Sequence, residues 1–467
     1  MSKDADVTTY DCLSSTGDIP RIAALAQCVS KPQTDCKAVQ LKTGLFWREN
    51  RVRMANFQTA SLEAINTFKL ERLKRLVDFA YANVPFYRQL YSAAGYQPGG
   101  ISSFEDFSSL PMVTKRQLRD AEISERVSAP EKLDTTPSTR TSGSSGSPFI
   151  SYHDESDVIR DYCEVLRFYN SCLKRPLAED DWIYMIHNAG LWMSSFDGKY
   201  RTFQLPDLLP DTPLATHLDY LQPRILSTLP SYLPLIKKMG VPLTEFGVEA
   251  IITNSECSTR KERQAYAQAL GVPVFDEYSS EELGLIATQC SEGEYHTVED
   301  GVHVEILDKD ASGLGTVVCT DLNNWFMPLI RFDHGDLARD IPQGQACQCG
   351  RAGMRLSEVN GRRDDAFLTR DKRIVPSASI LAAVDDILVE HDLGLNEFRV
   401  IQSSATNITL QTIYNGPTYA EVPTLLNNFK LRLTALFGYP ISLLHQEVDA
   451  LPQADSYKRK CLIRTWE

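Results

Sequence analysis

A run of small hydroxylated and glycine residues, RTSGSSGSPF, occupies residues 140–149. Gly143 and Gly146 allow positive φ angles and close backbone approach, and successive amides in such a loop form a concave site for an anion. The neighbouring serine and threonine hydroxyls add hydrogen-bond donors. The segment lacks both the GxxxxGK(S/T) pattern of a Walker loop and the GxSxG pattern of a serine hydrolase. It is therefore either an anion-binding loop or a flexible linker.

Two short clusters of cysteine and histidine have the composition of a metal site. CSEGEYH places Cys290 six residues before His296, and CQCG places Cys347 and Cys349 two residues apart. Three thiolates and one imidazole form the closed, tetrahedral ligand set of a structural zinc site. Free thiols are the alternative interpretation, and Cys319 is an alternative ligand.

Strand-like and helix-like segments alternate after the loop, which predicts βαβ units and a parallel sheet. In such sheets ligands bind at the carboxyl ends of the strands. Two polar segments directly follow or end predicted strands, namely NSE at 254–256 and DEYSSEE at 276–282. We therefore expect both segments at the ligand-binding edge of the sheet.

The pattern changes near residue 366. A helix with start and stop signals, two strand-like segments, a second helix near 419–437 and a strand near 441–449 follow that point. These elements predict a small α+β domain over residues 366–467. Residues 61–365 are then a large domain that precedes it, and residues 1–60 an N-terminal extension.

Composition restricts the class of partner. The 467 residues include 61 acidic and 48 basic ones, for a formal net charge of −13. A nucleic-acid-binding protein needs a basic face, so this balance argues against one. No apolar run reaches the about 18 residues of a membrane span, and the N-terminus lacks a signal-peptide layout. The eleven cysteines are too scattered for a disulfide framework. We expect a cytoplasmic protein without nucleic-acid or membrane partners, and the sequence allows a homodimer.

Five segments resemble, in order, the motifs of the acyl-adenylate-forming superfamily. TSGSSGSP resembles its phosphate loop, DEYSSEE its Tyr-Gly-x-Thr/Ser-Glu motif, PLIRFDHGDLA its Tyr-Arg-Thr-Gly-Asp motif, GRRDD its hinge and DSYKRKCLIR its Gly-Lys-x-Arg segment. Within the superfamily, RLVDFAYANVPFYRQLYSAAG and LPMVTKRQLRD look like the N-terminal region of phenylacetate–CoA ligases and their capsule-type relatives. The capsule-type relatives also look similar in the two short cysteine and histidine clusters, CSEGEYH and CQCG. The resemblance covers roughly residues 65–467.

The resemblance implies an α/β fold, with a large N-terminal adenylate-forming domain built on parallel sheets and a small mobile α+β C-terminal domain. It also implies an acid–thiol ligase that uses ATP and Mg²⁺ to convert a carboxylic acid to acyl-AMP and then transfers the acyl group to CoA. Transfer to an amine, a hydroxyl or a carrier protein is the alternative. A nucleotide-binding module without turnover and a hydrolase using Ser144 or Ser145 are further alternatives.

The same resemblance implies roles for individual residues. The residues implied to hold the ATP phosphates are Thr141, Ser142, Gly143, Ser144, Ser145 and Gly146. Those implied to contact AMP are Ser255, Glu256, Asp276, Tyr278, Ser279, Asp336 and Arg362. Within this set, Tyr278 is expected to stack on adenine and Asp336 to accept hydrogen bonds from the ribose.

Catalysis and acid recognition are implied to involve a further set. Glu282 is expected to hold Mg²⁺, and Lys458 to place a charge at the reacting carboxylate and α-phosphate, with Lys460 as a close competitor. Asp364 corresponds to the hinge residue. The implied acyl pocket contains His187, Gly190, Trp192 and Glu281. Its glycine and tryptophan favour an aromatic acid, and Glu281 is expected to pair with an amino or hydroxyl group on that acid.

Three positions depart from the superfamily pattern. Ser147 replaces the usual lysine of the phosphate loop, Ser279 replaces a glycine, and Glu281 replaces a serine or threonine. The departures affect the phosphate contacts and the substrate pocket more than the fold.

Overall fold

The computed structural model describes residues 36–140, 149–187, 200–205, 208–342, 346–391, 395–414, 422–449, 451 and 461–466. Several predicted site residues lie outside the described residues: the loop residues 141–146, Gly190, Trp192 and Lys458, together with its competitor Lys460.

The described helices extend from residue 36 to residue 437. The α-helices are α1 (Cys36–Gln58), α2 (Leu62–Asn83), α3 (Pro85–Ala93), α4 (Phe104–Ser108), α5 (Lys115–Asp120), α6 (Ile123–Arg126), α7 (Glu155–Ser171), α8 (Leu214–Leu221), α9 (Leu233–Met239), α10 (Arg260–Leu270), α11 (Ser377–His391) and α12 (Val422–Phe437). Short 3₁₀ helices cover Pro130–Thr135 and Pro230–Tyr232.

The strands form one large sheet, a smaller one and two strand pairs. They are β1 (Val113–Thr114), β2 (Ser138–Arg140), β3 (Ile150–Tyr152), β4 (Trp182–Ile186), β5 (Arg201–Leu205), β6 (Ile225–Thr228), β7 (Ala250–Thr253), β8 (Val274–Ser280), β9 (Gly284–Gln289), β10 (Tyr295–Thr297), β11 (Val302–Leu307), β12 (Leu314–Asp321), β13 (Phe332–Ile341), β14 (Arg355–Arg362), β15 (Phe367–Leu368), β16 (Ile374–Val375), β17 (Leu395–Gln402), β18 (Asn407–Tyr414), β19 (Ser442–Glu447) and β20 (Leu462–Arg464).

The large sheet has the order β11-β12-β13-β14-β10-β9-β8-β7-β6-β4-β5, and β1 pairs with β13. The strands from β8 to β5 are parallel, as the alternating pattern predicts, whereas those from β8 to β11 are antiparallel. Strand β8 therefore lies at the junction of the two halves. Its residues carry the Tyr278 motif.

The parallel half of the sheet is covered on both faces, which explains its nearly continuous apolar strands. Alternate side chains point to opposite faces. Met185 and Ile252 pack with Phe168 and Tyr169 of α7, whereas Tyr184 and Ile251 lie in a second core with helices α8 and α9.

Helix α1, in the predicted N-terminal extension, packs against the large unit. Its Trp47 and Met54 are buried in the same core as α7. The carbonyl of Met54 accepts a hydrogen bond of 3.0 Å from Arg167, whose guanidinium also pairs with Asp300. Within the predicted N-terminal segment, residues 36–58 thus help to bury the sheet.

A separate core lies in the C-terminal unit. Helices α11 and α12 pack on a four-stranded sheet of order β19-β18-β17-β20, and their apolar side chains form a cluster running from Phe367 to Leu462. Asp385 of α11 accepts a hydrogen bond of 2.6 Å from Thr259, at the start of α10. The C-terminal unit therefore contacts the large unit beside the end of β7. Among the described residues, none of the helices has both the length and the apolar character needed to cross a membrane.

Candidate active site

The two polar segments expected at the carboxyl edge of the sheet do lie there. Thr228 and Thr253 end β6 and β7, and in the parallel register they align with Asp276, from which β8 continues to Ser280. Ser255 follows β7 with a φ of 66°, a left-handed conformation that is uncommon for residues other than glycine. Glu256 accepts a hydrogen bond of 3.0 Å from the amide of Ser231. The chain is therefore tightly turned where it leaves the sheet.

Asp276 lies inside a buried network. Its carboxylate accepts hydrogen bonds of 2.5 Å from Thr253 and 2.6 Å from Tyr295, and Arg263 lies 3.8 Å away. Burial raises its pKa, while the Arg263 charge opposes that shift. These contacts anchor β8 to its neighbours. The predicted contact of Asp276 with AMP would require it to share or break one of these bonds.

Tyr278 and Asp336 meet, as expected for two motifs of one nucleotide site. The Tyr278 hydroxyl donates a hydrogen bond of 2.8 Å to Asp336, and its ring stacks on His334 at a centroid distance of 6.1 Å. Asp336 is also the register partner of Arg362 on β14. One arrangement therefore joins three of the predicted AMP contacts.

Glu282 forms an ion pair with Lys115, at the first position of α5. Glu282 is only 3% exposed. Although burial by itself raises the pKa of this carboxyl, the charge of Lys115 brings the pKa below its ordinary value. An ionised, buried carboxylate suits a hard cation such as Mg²⁺. Lys115 was not among the predicted site residues. Its only signal in the sequence was its place in LPMVTKRQLRD, a segment that resembles the N-terminal region of phenylacetate–CoA ligases.

The ends of the Gly/Ser loop are held close to this ion pair. Arg140 of β2 pairs with Ile150 of β3, so the loop connects the two strands of a hairpin. Thr139 donates a hydrogen bond of 3.0 Å to the carbonyl of Glu281. The ring of Phe149, directly after the loop, lies 5.7 Å from the Lys115 ammonium. Both the hairpin and this ring place Lys115 at the base of the loop.

The predicted hinge begins next to the predicted nucleotide contacts Asp336 and Arg362. Asp364 is exposed and lies between β14 and β15. The preceding Arg363 donates from its amide to Gly335 at 2.8 Å and from its guanidinium to Asp333 at 3.0 Å. These bonds fix the chain up to Arg363 on β13. Within the described segment 361–365, Asp364 is the first residue after Arg363, and its backbone amide makes no such hydrogen bond to β13.

The four predicted zinc ligands come together. The ligand atoms of Cys290, His296, Cys347 and Cys349 all lie within 4.8 Å of one another. The Cys290 and Cys347 sulfurs are 3.8 Å apart, and the Cys349 sulfur is 3.3 Å from Nε2 of His296. Two thiolates on a tetrahedral ion with bonds of about 2.3 Å would be separated by about 3.8 Å. Cys319 lies elsewhere, 3.9 Å from His334.

The Cys/His cluster lies in the antiparallel half of the sheet, next to a contact with α7. Cys290 and His296 flank the turn between β9 and β10, and Cys347 and Cys349 belong to a tight turn before β14. Arg351, just after that turn, donates hydrogen bonds to Thr288 at 3.0 Å and to Ser171 at 2.6 Å. The four side chains therefore lie on the strands next to β8.

The predicted acyl pocket is only partly described. His187 is buried at the end of β4, where its amide donates to Leu205 at 2.9 Å. Glu281, which is predicted to lie in the pocket, follows the end of β8 and has an exposed side chain. Strand β8 has a bulge between Tyr278 and Ser279 and ends before Glu281. The buried glutamates of this segment are Glu277 and Glu282, and sequence analysis did not single out Glu277.

Comparisons with known sequences agree with the motifs. No family model matches the chain. The phenylacetate-coenzyme A ligase of Thermus thermophilus is 27% identical over 357 residues, 72% of this chain and 79% of its own length. The ligase of the same name from Escherichia coli is 24% identical over 421 residues, which is 85% of this chain and 94% of that one.

Comparison with solved structures agrees as well. The crystal structure of 2-hydroxyisobutyryl-CoA ligase in the postadenylation state matches with a TM-score of 0.72 and 20% identity, over 87% of this chain and 90% of that one. The same enzyme in the thioesterification state matches with a TM-score of 0.57. The predicted resemblance to the acyl-adenylate-forming superfamily and the predicted fold class are confirmed.

Proposed function

We propose that this protein is an AMP-forming acid–thiol ligase, which converts a carboxylic acid and ATP to acyl-AMP and pyrophosphate and then transfers the acyl group to CoA. The main support is the convergence of the Tyr278–Asp336 and Lys115–Glu282 pairs at one edge of the sheet. The phenylacetate-coenzyme A ligases to which the chain is similar point to the same reaction.

The nucleotide side of the site has a role for each described residue. Tyr278 presents its ring beside His334 for contact with adenine, and Asp336 accepts hydrogen bonds from ribose hydroxyls. Ser255 and Glu256 lie near the same edge. Glu282 would hold Mg²⁺, which when bound supplies positive charge to the phosphates. Because the phosphates and the acid are all anionic, their mutual repulsion is the main barrier to the first step.

Lys115 adds a positive charge that the Gly/Ser loop lacks. Ser147 stands where the superfamily has a lysine, and the Lys115 ammonium contacts Glu282 and lies 5.7 Å from the Phe149 ring at the loop's end. A point charge at this position would compensate for the absent loop lysine. The residues 141–146 would contribute amide and hydroxyl donors to the same phosphates.

Zn²⁺ is proposed as a structural ion held by Cys290, His296, Cys347 and Cys349. The spacing of the four ligand atoms fits a tetrahedral site. With four protein ligands the ion would have no open position for a substrate. When bound, it would supply a cross-link that stabilises the strands beside β8.

The C-terminal unit is proposed to supply the first step with Lys458 and to move about Asp364 between steps, with a domain boundary near residue 366. We also propose a cytoplasmic location. Cys163, Cys172 and Cys257 are free thiols, as is usual in a reducing compartment.

Pyrophosphate release tests the proposal. The purified full-length chain, with ATP and Mg²⁺, should release pyrophosphate when acids from an aromatic panel are added, and an acyl-CoA should form when CoA is also present. Pyrophosphate without a thioester would favour an amine, hydroxyl or carrier protein as acceptor. Acid-independent release, or none with any acid, would reject the ligase assignment.

A further inference from the structure

A row of polar side chains lines one face of the sheet at its carboxyl edge. In the parallel register Ser227 is the partner of Ile252, which is the partner of Phe275. Because side chains alternate along a strand, Asn254 and Glu277 lie on the same face as Ser227, one alternation further toward the edge. This is the face covered by α7, and Tyr278 points to the other one.

Glu277 is buried in this row with part of its hydrogen-bonding capacity unused. Its side chain is 7% exposed. Oε1 has one long contact, 3.4 Å to the Ser279 hydroxyl, and Oε2 has no partner in the part of the chain that the structure describes. Leaving a buried polar atom unpaired costs on the order of 1–3 kcal/mol, so such an atom requires an explanation.

Other polar side chains on this face form long hydrogen bonds. The Tyr169 hydroxyl of α7 donates to Ser227 at 3.3 Å, and the Asn254 amide contacts the same oxygen at 3.5 Å. Both distances exceed those of optimal hydrogen bonds. These buried polar groups share a face of the sheet with the unpaired carboxyl oxygen, and Tyr169 is near enough to Glu277 to interact with it electrostatically.

Strand β8 therefore separates two environments. On one side Tyr278 meets Asp336 and His334, where the nucleotide is proposed to bind. On the other side Glu277 faces α7. An acid whose carboxylate reaches the nucleotide from the α7 side would place the rest of its body beside Glu277. In parallel sheets the carboxyl edge is the place where ligands bind.

We propose that Glu277 determines specificity for the acid, and that the substrate is a carboxylic acid carrying a hydroxyl or amino group whose hydrogen Glu277 accepts. The proposal rests on the proposed ligase function and adds the class of acid. It also replaces Glu281, whose side chain is exposed, as the acidic residue that recognises the substrate.

The chemistry of the carboxyl group supports a donor on the substrate. At least one oxygen of a carboxyl accepts a hydrogen bond whether the group is ionised or protonated. Burial, followed by the charges of Asp161 and Asp276, raises the pKa of Glu277 to about 8. An acid without a polar substituent would leave Glu277 desolvated and unpaired, and sites built around such a group reject the analogue that lacks the donor.

Pairs of acids that differ only in the donor provide the test. We would measure kcat/KM for pyrophosphate release with benzoate and phenylacetate and with their hydroxy and amino derivatives. At least one substituted acid should exceed its parent by about tenfold or more in the wild-type chain. E277Q should reduce that ratio by about threefold or more, and E277L should bring it to about one.

E164Q is the matched control. Glu164 is also buried and also has an oxygen without a partner among the described residues, but it lies beside Arg167 and Asp300, away from the sheet edge. E164Q should keep the wild-type ratio. If E277L does not fold, E277Q still decides, because amide and carboxyl have nearly the same shape.

The outcomes separate the two proposals. Absence of pyrophosphate release with every acid would reject the ligase function. Release with the parent acids at equal or higher efficiency than with all their derivatives would overturn the role of Glu277 and leave the ligase function intact. An unchanged ratio in folded E277Q would overturn it too.

Discussion

The hydroxyl of Tyr278 donates a hydrogen bond of 2.8 Å to Asp336, joining β8 to β13 across 58 residues of sequence. The two strands are not neighbours in the sheet, since β9, β10 and β14 lie between them in its order. The bond therefore depends on the twist and curvature of the antiparallel half. It holds the proposed adenine and ribose contacts in one relative position.

Removing this hydroxyl should weaken nucleotide binding more than it affects the fold. In Tyr278→Phe, Asp336 loses a fixed partner, and a hydrogen bond to a charged group contributes about 1.5–3 kcal/mol. We expect KM for ATP to rise about tenfold or more, with a smaller change in kcat. Tyr439→Phe is the control, because its hydroxyl bonds to Ala405 in the C-terminal unit. Equal KM values for ATP in the two variants would contradict the proposed role.

Lys115 should be needed for the first half-reaction. Lys115→Met keeps the apolar stem and removes the charge beside Glu282 and the loop, so acyl-AMP formation should slow about 10²-fold. Lys74→Met, which breaks an exposed pair with Glu71, should have little effect. The rate of acyl-AMP formation is measured as the rate of pyrophosphate release from ATP at a saturating concentration of the acid. Normal adenylation in Lys115→Met would refute a phosphate role for this residue.

The same variant should change the pH profile in a defined direction. Lys115 holds the pKa of Glu282 below its ordinary value against the effect of burial. Without that charge burial prevails, the pKa rises, and the carboxylate is protonated at a higher pH. The acidic limb of the adenylation profile should therefore move to higher pH in Lys115→Met. An acidic limb that stays in place would indicate that another group controls it.

Zinc should stabilise the chain without taking part in the reaction. Elemental analysis should find about one zinc per chain, and Cys347→Ser or Cys290→Ser should lose it. Because a structural metal contributes its binding free energy to folding, the thermal midpoint should fall in both variants. Cys319→Ser, with its thiol next to His334, should retain the zinc. Retention of zinc in Cys290→Ser would show that the four residues are not its ligands.

The four predicted zinc ligands could be proposed from sequence because each pair is local, Cys290 with His296 and Cys347 with Cys349, so the fold has only to bring two short segments together. Lys115 and Glu282 were different. Their contact depends on the parallel pairing of β1 with β13, which no local pattern indicates. Sequence alone therefore shows the motif residue Glu282 but not its partner.

The glutamates of DEYSSEE show a second limit. Choosing the pocket residue by its position in a motif selected Glu281, but strand alternation and a bulge determine which side chains are buried. Glu277 is two residues before Ser279 on β8 and is buried against α7, whereas Glu281 follows the strand and is exposed. The direction of a side chain near a strand end depends on such irregularities, which composition and spacing do not reveal.

Glu277 should also affect stability as the pH rises. Its pKa is raised from 4.5 to about 8 in the folded chain, so the folded state binds a proton that the unfolded state releases between these values. The contribution of Glu277 to stability is therefore fully present below pH 4.5 and is lost as the pH rises toward 8, by up to about 1.4 kcal/mol per pH unit. E277Q lacks this loss, so its thermal midpoint should rise relative to wild type across the interval. Parallel curves would contradict the buried state of Glu277.

The last prediction concerns the division of labour between Lys458 and Asp364. Adenylation crowds negative charge at the α-phosphate, whereas CoA attack needs that region vacated, so a charge used in the first step should be dispensable in the second. Lys458→Ala should slow acyl-AMP formation by about 10²–10³-fold, or about 3–4 kcal/mol, and leave CoA attack on supplied acyl-AMP nearly intact.

Asp364→Pro fixes φ at the first residue beyond the anchored Arg363 and should show the reverse pattern. Measuring the two half-reactions separately decides between them. Equal impairment of both steps by Lys458→Ala, or loss of the first step only in Lys460→Ala, would show that Lys458 is not the residue that acts in adenylation.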